Sequence, residues 1–379
     1  MDIDKYFVGA DQQVLVQDVL LETYYRNHDR SFLESEAGRL DMEANVNGRY
    51  LKSLQHIVPW VARQIELAGT TIVEIGCGPG SSTAAFAHFA RKIYGYDIDG
   101  KSIDAARKRA EILGQDNAEF FLVTPENLLP AIVRAHAAEQ VDIFLLFAVL
   151  EHMTIKERHE AISACWEMLR DGGLLVICET PNLLQYYDFH TSVLPFFHML
   201  PSELCARYAV KSTRAGFNQD FSSHPMRPEE VELKMSRWGR GVSYHDFELA
   251  IGDDYAEHLV ANGYEEEILT WFSDSVEEQV LRYYLWAKKI NIPVGFARVA
   301  LHLIFRKGAG LTGGAALPEP PPMVLGNVVE LQQRLKTCEE TLRISEAQLQ
   351  QIVQSKRWKL GNLVAWPYRL LARKLAVRA

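Results

Sequence analysis

Two groups of residues in this chain have the types and spacing to do chemistry. The first is Glu74-Ile-Gly76-Cys77-Gly78-Pro-Gly80, followed about 20 residues later by Asp97. Glycines allow the φ > 0 turns such a loop needs and let a bulky ligand approach bare backbone. A carboxylate at the end of the following strand can accept both hydroxyls of a ribose. A dinucleotide loop reads G-x-G-x-x-G and places a pyrophosphate on a helix N-terminus. Here the third glycine comes one residue early, and the acid before the loop suits a ligand carrying an ammonium group rather than phosphates. The second group is His152 together with Asp188, His190 and His198, all just downstream of apolar runs. An alcohol is a poor nucleophile at neutral pH and needs a positioned base. His190 oriented by Asp188 is one candidate base and His152 another; each can equally be a histidine that bonds its own loop. Asp188, His190 and His198 together also suggest a ligand set, but the spacing is not diagnostic and magnesium prefers oxygen donors. No metal site is assigned.

The elements that must position these groups alternate strand and helix. Val73–Ile75 leads into the glycine loop and a helix from Ser81. Arg91–Asp97 is a second strand, and Ser102–Arg109 a helix with Asp99 or Ser102 at its cap. Glu119–Val123 is a third strand. Val141–Phe147 is almost wholly apolar, as a central parallel strand covered on both faces requires. Leu174–Cys178 follows Gly172-Gly173 as the fifth. This is an α/β chain with ligands expected at the carboxyl ends of its strands.

The loop from Glu74 to Gly80, Asp97 at the next strand end, Leu150-Glu151-His152 after the fourth strand and Leu169-Arg-Asp171-Gly172-Gly173 before the fifth resemble, in order and spacing, the class I S-adenosylmethionine-dependent methyltransferases. The resemblance implies a Rossmann-like sheet with helices on both faces, and S-adenosyl-L-methionine as cofactor. It implies cofactor contacts from Glu74, Gly76, Cys77, Gly78, Gly80, Asp97, Ile98 and Phe147. Relatives carry an acid directly after the third strand for the adenine amine; Thr124 stands there, so that contact falls to Glu126, Asn127 or a backbone group. Asp171 replaces the usual proline. The Asn/Asp-Pro-Pro-Tyr segment of DNA amino methyltransferases is missing, with Ala148-Val149-Leu150 in its place.

The chain's 379 residues exceed one minimal domain. Residues 1–66 read as an N-terminal helical cap over the cofactor cleft, with Arg49 and Tyr50 as possible contacts. Residues 67–182 form the cofactor-binding core. Residues 183–307 hold the remaining strands and a substrate-facing elaboration, ending in a helix-like stretch from Val276 to Arg306. Residues 308–325 are a Gly/Pro linker. In 326–354, Val328, Leu331, Leu335, Cys338, Leu342, Ser345, Leu349 and Ile352 keep a heptad register, which predicts a coiled coil and a homo-oligomer. Residues 355–379 carry seven Lys and Arg and no acid, while the chain as a whole stands at −9. Basic residues mixed with Trp358, Trp366 and several leucines suit an anionic membrane surface; a protein partner is the alternative, and nucleic acid is disfavoured by the acidic body.

Ser355-x-x-Trp358-x-Leu360 with Pro367-x-Arg369 also resembles the ends of bacterial surface-polysaccharide glycosyltransferases and methyltransferases. That implies a glycan acceptor or its lipid-linked precursor. The Leu-Glu-His segment occurs too in methyltransferases acting on small quinone or lipid-like acceptors, and a non-catalytic membrane-recruiting scaffold is the reading from a different class. The cysteines, Cys77, Cys165, Cys178, Cys205 and Cys338, form no C-x-x-C pair and read as small core hydrophobes. The acidic start lacks a signal-like apolar segment, which predicts a cytoplasmic protein, peripheral at the inner membrane face.

Overall fold

The computed structural model describes residues 3–136, 140–214, 216–222 and 227–308. The chain divides into units 1–320 and 321–379, and every described residue belongs to the first. The expected linker from residue 309, the coiled coil and the basic tail lie outside the described residues.

Seven strands form one sheet: β1 (Thr71–Ile75), β2 (Lys92–Asp97), β3 (Ala118–Leu122), β4 (Val141–Phe147), β5 (Leu169–Pro181), β6 (Leu259–Ala261) and β7 (Ala300–Arg306). Their spatial order is β3-β2-β1-β4-β5-β7-β6. The first five are parallel, and β7 runs antiparallel to both β5 and β6. Every residue of β1 is buried, because helices cover both faces and leave no solvated side. Val73, Phe144, Leu146 and Leu175 pack on one face; Ile72, Ile143, Leu145 and Val176 pack on the other. The strand order reverses between β1 and β4, so a crevice opens at their carboxyl ends.

Helices α1 (Ala10–Glu22), α2 (Ser81–Ala87), α3 (Gly100–Ile112), α4 (Leu128–Ala135) and α5 (Ile155–Met168) belong to the first half of the chain. Between α1 and β1 a helical run from Glu36 to Ala62 is widened by π turns at Ala44–Gly48 and Ser53–Ile57. Such turns swing side chains off the regular helical face. They bracket Arg49–Lys52, and Arg49 lines the crevice together with Ser53 and Tyr24. Asp99 caps α3 through the Lys101 and Ser102 amides.

After β5 the elaboration contributes α6 (Ser202–Ala209), α7 (Pro228–Trp238) and α8 (Tyr244–Ile251). Phe197, Cys205, Phe217 and Met235 give it a small core of its own. The expected helix over 276–306 is only half present. Helix α9 covers Val276–Ala287, and the chain then leaves through Pro293 for β7. Proline lacks the amide a helix needs and pushes Ile292 out of helical dihedrals. Leu301, Leu303, Ile304 and Phe305 are fully buried because β7 lies inside the sheet, between β5 and β6.

Candidate active site

The crevice is a cavity of about 350 Å³. Its floor is the glycine loop. Gly76 has φ +74°, and a Cβ there would stand 2.4 Å from Val149 Cγ2. Gly78 has φ +52° and nothing within 4 Å of an added Cβ, so this backbone faces open space. Gly80 caps α2 and packs on Ala106. Cys77 is buried against Ile103, Ala106 and Phe120, yet borders the cavity.

Asp97 closes the neighbouring wall. One carboxylate oxygen accepts the Gly78 amide at 2.8 Å and the other the Asp99 amide at 2.9 Å. Each oxygen keeps a further lone pair, enough for two ligand hydroxyls. Burial pushes its pKa up, against the lowering effect of those amides. Ile98, 52% exposed, Pro125, Leu128 and Leu129 line an apolar end. Phe147 from β4 and Ala148 just after it, with Arg49, Ser53 and Tyr24 from the cap, complete this half. An open glycine backbone, a half-engaged carboxylate and an apolar slot fit a nucleoside with an amino-acid tail.

Several expected contacts sit elsewhere. Glu74 is fully buried and outside the cavity wall; Ser82 and Thr83 donate hydroxyl hydrogen bonds to its two oxygens. It ties β1 to α2, and burial raises its pKa to about 7. Glu126 and Asn127 are exposed outside the wall, and Asn127 accepts from Arg134 instead. Tyr50 is core: its hydroxyl donates to the Tyr6 carbonyl and meets His88. Arg49 does line the cavity.

The other half is built by three segments. Leu150–His152 forms a single 3-10 turn after β4. His152 lines the cavity, and His190 stands behind it with ring centroids 5.5 Å apart. Glu151, between them, is fully buried; its Oε1 lies 3.9 Å from Nε2 of each histidine. The Thr180 hydroxyl and the Glu151 amide lie beside its oxygens, but neither makes a well-formed hydrogen bond to them. Burial, its first cause, lifts the Glu151 pKa to about 8. Burial likewise lowers both imidazoles, His190 to about 4.

The ring partners assign the tautomers. His152 Nδ1 faces the Arg237 carbonyl at 3.1 Å, so it carries the proton. His190 Nδ1 faces Thr191 Oγ1 at 3.0 Å, and that hydroxyl donates to the Gly239 carbonyl at 2.7 Å. Thr191 therefore accepts from His190, and both Nε2 lone pairs turn toward Glu151.

Asp188 does not orient His190. Its oxygens accept the Thr191 and Ser192 amides at 2.8 and 2.9 Å, and its histidine neighbour is His198 at 3.7 Å. An aspartate directly before a turn accepts such amides readily. The sequence marked Glu151 only as part of the Leu150-Glu151-His152 segment and gave it no role in the site. Sequence reasoning also passed over two buried arginines. Arg109 donates to the Pro79, Val46 and Asn45 carbonyls and clamps the glycine loop to the cap. Arg158 donates to the Leu150, Arg240 and Gly241 carbonyls and fixes the turn carrying Glu151. Ala148 and Glu179, at the ends of β4 and β5, both border the cavity with φ of 48° and 53°. Positive φ in non-glycine residues is strain that concentrates at functional sites.

Residues 73–177 match the family described as "Methyltransferase domain". The ubiquinone biosynthesis O-methyltransferase of Sinorhizobium fredii is 32% identical over 177 residues, covering 47% of this chain and 62% of the relative. That of Pseudomonas fluorescens is 28% identical over 116 residues, 31% of this chain and 47% of the relative. The chain thus spans about half the length of such curated relatives. A magnesium protoporphyrin IX methyltransferase from Synechocystis, solved with bound S-adenosylmethionine, is 18% identical, with 54% and 86% of the two chains covered and a TM-score of 0.32. That structural likeness is slight, and the assignment rests on the sequence match together with the strand order and glycine loop. Residues 73–177 are a class I S-adenosylmethionine-dependent methyltransferase domain.

Proposed function

We propose that the whole chain is an S-adenosylmethionine-dependent O-methyltransferase acting on a hydroxyl of a bacterial surface glycan or its lipid-linked precursor. The observation that carries the transfer is that one cavity is walled by the glycine loop and Asp97 and also by His152. S-adenosylmethionine, when bound, supplies an electrophilic methyl group. Asp97 and the Gly78 backbone hold the nucleoside, and Ile98 with Leu128 and Leu129 excludes water from it. His152, neutral at pH 7, takes the acceptor proton, with Glu151 and His190 behind it. Arg237 closes the wall by binding Glu157 through two hydrogen bonds of 2.8 and 2.6 Å.

The glycan acceptor is supported by sequence resemblance only, chiefly that of Ser355–Arg369. A phenolic, quinone-like acceptor is the second reading, favoured by the ubiquinone biosynthesis relatives. The same reading has 326–354 self-associating and 355–379 resting on an anionic membrane; both are supported by sequence only. No described helix is long and apolar enough to cross a membrane.

The test offers labelled S-adenosylmethionine to the full chain with a lipid-linked glycan extract or a catechol. Label in the glycan is the expected result, and label only in the catechol selects the second reading. No label in either, with S-adenosylhomocysteine still bound, replaces the enzyme by the scaffold.

A further inference from the structure

We propose that Glu151, His152 and His190 bind one divalent transition-metal ion, Zn²⁺ foremost, at the acceptor end of the cavity. The role given to the ion rests on the methyl-transfer reading; the site itself stands on geometry. One donor atom from each residue lies within 4.8 Å of the other two. Bonds of about 2.1 Å to a tetrahedral ion put ligand atoms roughly 3.4 Å apart, so small side-chain rotations from the 3.9 Å carboxylate–imidazole spacings close the set. Two imidazoles and one carboxylate suit zinc or another first-row ion better than magnesium or calcium.

Three further observations point to a cation. Both Nδ1 atoms are committed to oxygen partners, so both Nε2 lone pairs aim at the carboxylate. This outer bonding is how metal-ligating histidines are usually fixed. The Glu151 carboxyl is fully buried between the two Nε2 atoms, so its charged form needs a positive charge beside it. Among the described residues no arginine contacts the carboxyl directly, although the Arg158 charge acts on it and favours its ionised form. Arg237 donates to the His152 carbonyl, Arg214 to the His190 carbonyl and Arg158 to the Leu150 carbonyl. They hold the ligand-bearing backbone and leave the carboxylate free.

Three protein ligands leave positions open for an acceptor oxygen, and His152 puts the cluster at the cavity wall. With His152 Nε2 held by the ion, the ion takes over from His152 the activation of the hydroxyl, which ionises near neutral pH and loses its proton to water. The oxygen–methyl bond then forms as the carbon–sulfur bond breaks. The bonding pair stays on sulfur, which becomes a neutral thioether.

The test uses the tag-free full chain, stripped with a chelator and titrated with Zn²⁺, bound metal being counted by mass spectrometry. S-adenosylhomocysteine binding is measured in parallel. The wild type should take up about one Zn²⁺ per chain. Glu151→Gln and His190→Gln should each weaken this by more than the roughly 10- to 100-fold that outer partners cost, with S-adenosylhomocysteine affinity within about twofold of wild type as the sign of an intact fold. A wild type that retains no more Zn²⁺ than the Glu151→Gln/His190→Gln double variant overturns the site. So does a Glu151→Gln variant that binds Zn²⁺ as tightly as wild type. If S-adenosylhomocysteine does not bind the wild type, the transferase reading falls, while the zinc titration still decides the ion site.

Discussion

The two ends of the cavity are built by different means. At the cofactor end the working surface is largely backbone: Gly76 and Gly78 at positive φ, with Asp97 half engaged by the Gly78 and Asp99 amides. At the proposed acceptor end it is a side chain, His152, backed by Glu151 and His190 from segments the fold brings together. A backbone site fails when a Cβ is added, and a side-chain site fails when one is cut back. The same substitution size should thus break the two ends differently, one in binding and the other in turnover.

The largest effect belongs to the acceptor end. His152→Ala should lower turnover by roughly 10²–10⁴ while cofactor affinity stays nearly unchanged. Steady-state rates alongside calorimetry check this; a matching loss of affinity would erase the distinction between the ends. Next is Gly76→Ala. Left-handed strain of about 1–2 kcal/mol and an overlap worth about 1–3 kcal/mol fall on one residue. Denaturant unfolding should show a loss of about 2–5 kcal/mol, and cofactor binding should weaken with it. Gly78→Ala, with open space at its Cβ, should cost the strain alone.

Arg109→Met should cost about 3 kcal/mol, because three buried carbonyls lose a charged donor. Denaturant unfolding reads this, and a neutral result would show that the loop does not depend on the clamp. Asp97→Ala should weaken S-adenosylhomocysteine about 10- to 150-fold, the worth of roughly 1.5–3 kcal/mol.

The smallest effect is on pH. His190 resists protonation until about pH 4, whereas an unfolded imidazole takes its proton near pH 6.5. Between those values the unfolded chain binds more protons, so stability falls as pH drops from 6.5 toward 4. His190→Gln should flatten that slope in unfolding curves collected across the window.

Legibility in the sequence follows the same division. The glycine loop and Asp97 are close along the chain and repeat a strand–turn–helix pattern, so their place at one crevice could be read directly. Glu74 could not be placed from sequence, because whether an acid faces the ligand or two hydroxyls depends on where α2 begins. At the acceptor end His152 and His190 were legible as residues, but not as a cluster. The orienting partner of His190 was assigned to Asp188, which spends its oxygens on the Thr191 and Ser192 amides. Tertiary packing of α7 and the Gly239 carbonyl set the His190 ring, and no local pattern encodes that. The helical spacing of Leu281 and Leu285 held only to Ala287; beyond it, burial within the sheet made a strand of an apolar segment that also has helix-like spacing.

The central claim is that one cavity joins a backbone-built nucleoside site to the Glu151–His152–His190 cluster. A crystal structure of the full chain with S-adenosylhomocysteine tests it most directly. The account predicts ribose hydroxyls on Asp97, adenine against Ile98 and Leu128, and the sulfur on the side facing His152. A nucleoside bound away from Asp97, or a sulfur turned from His152 toward the N-terminal cap, would contradict it.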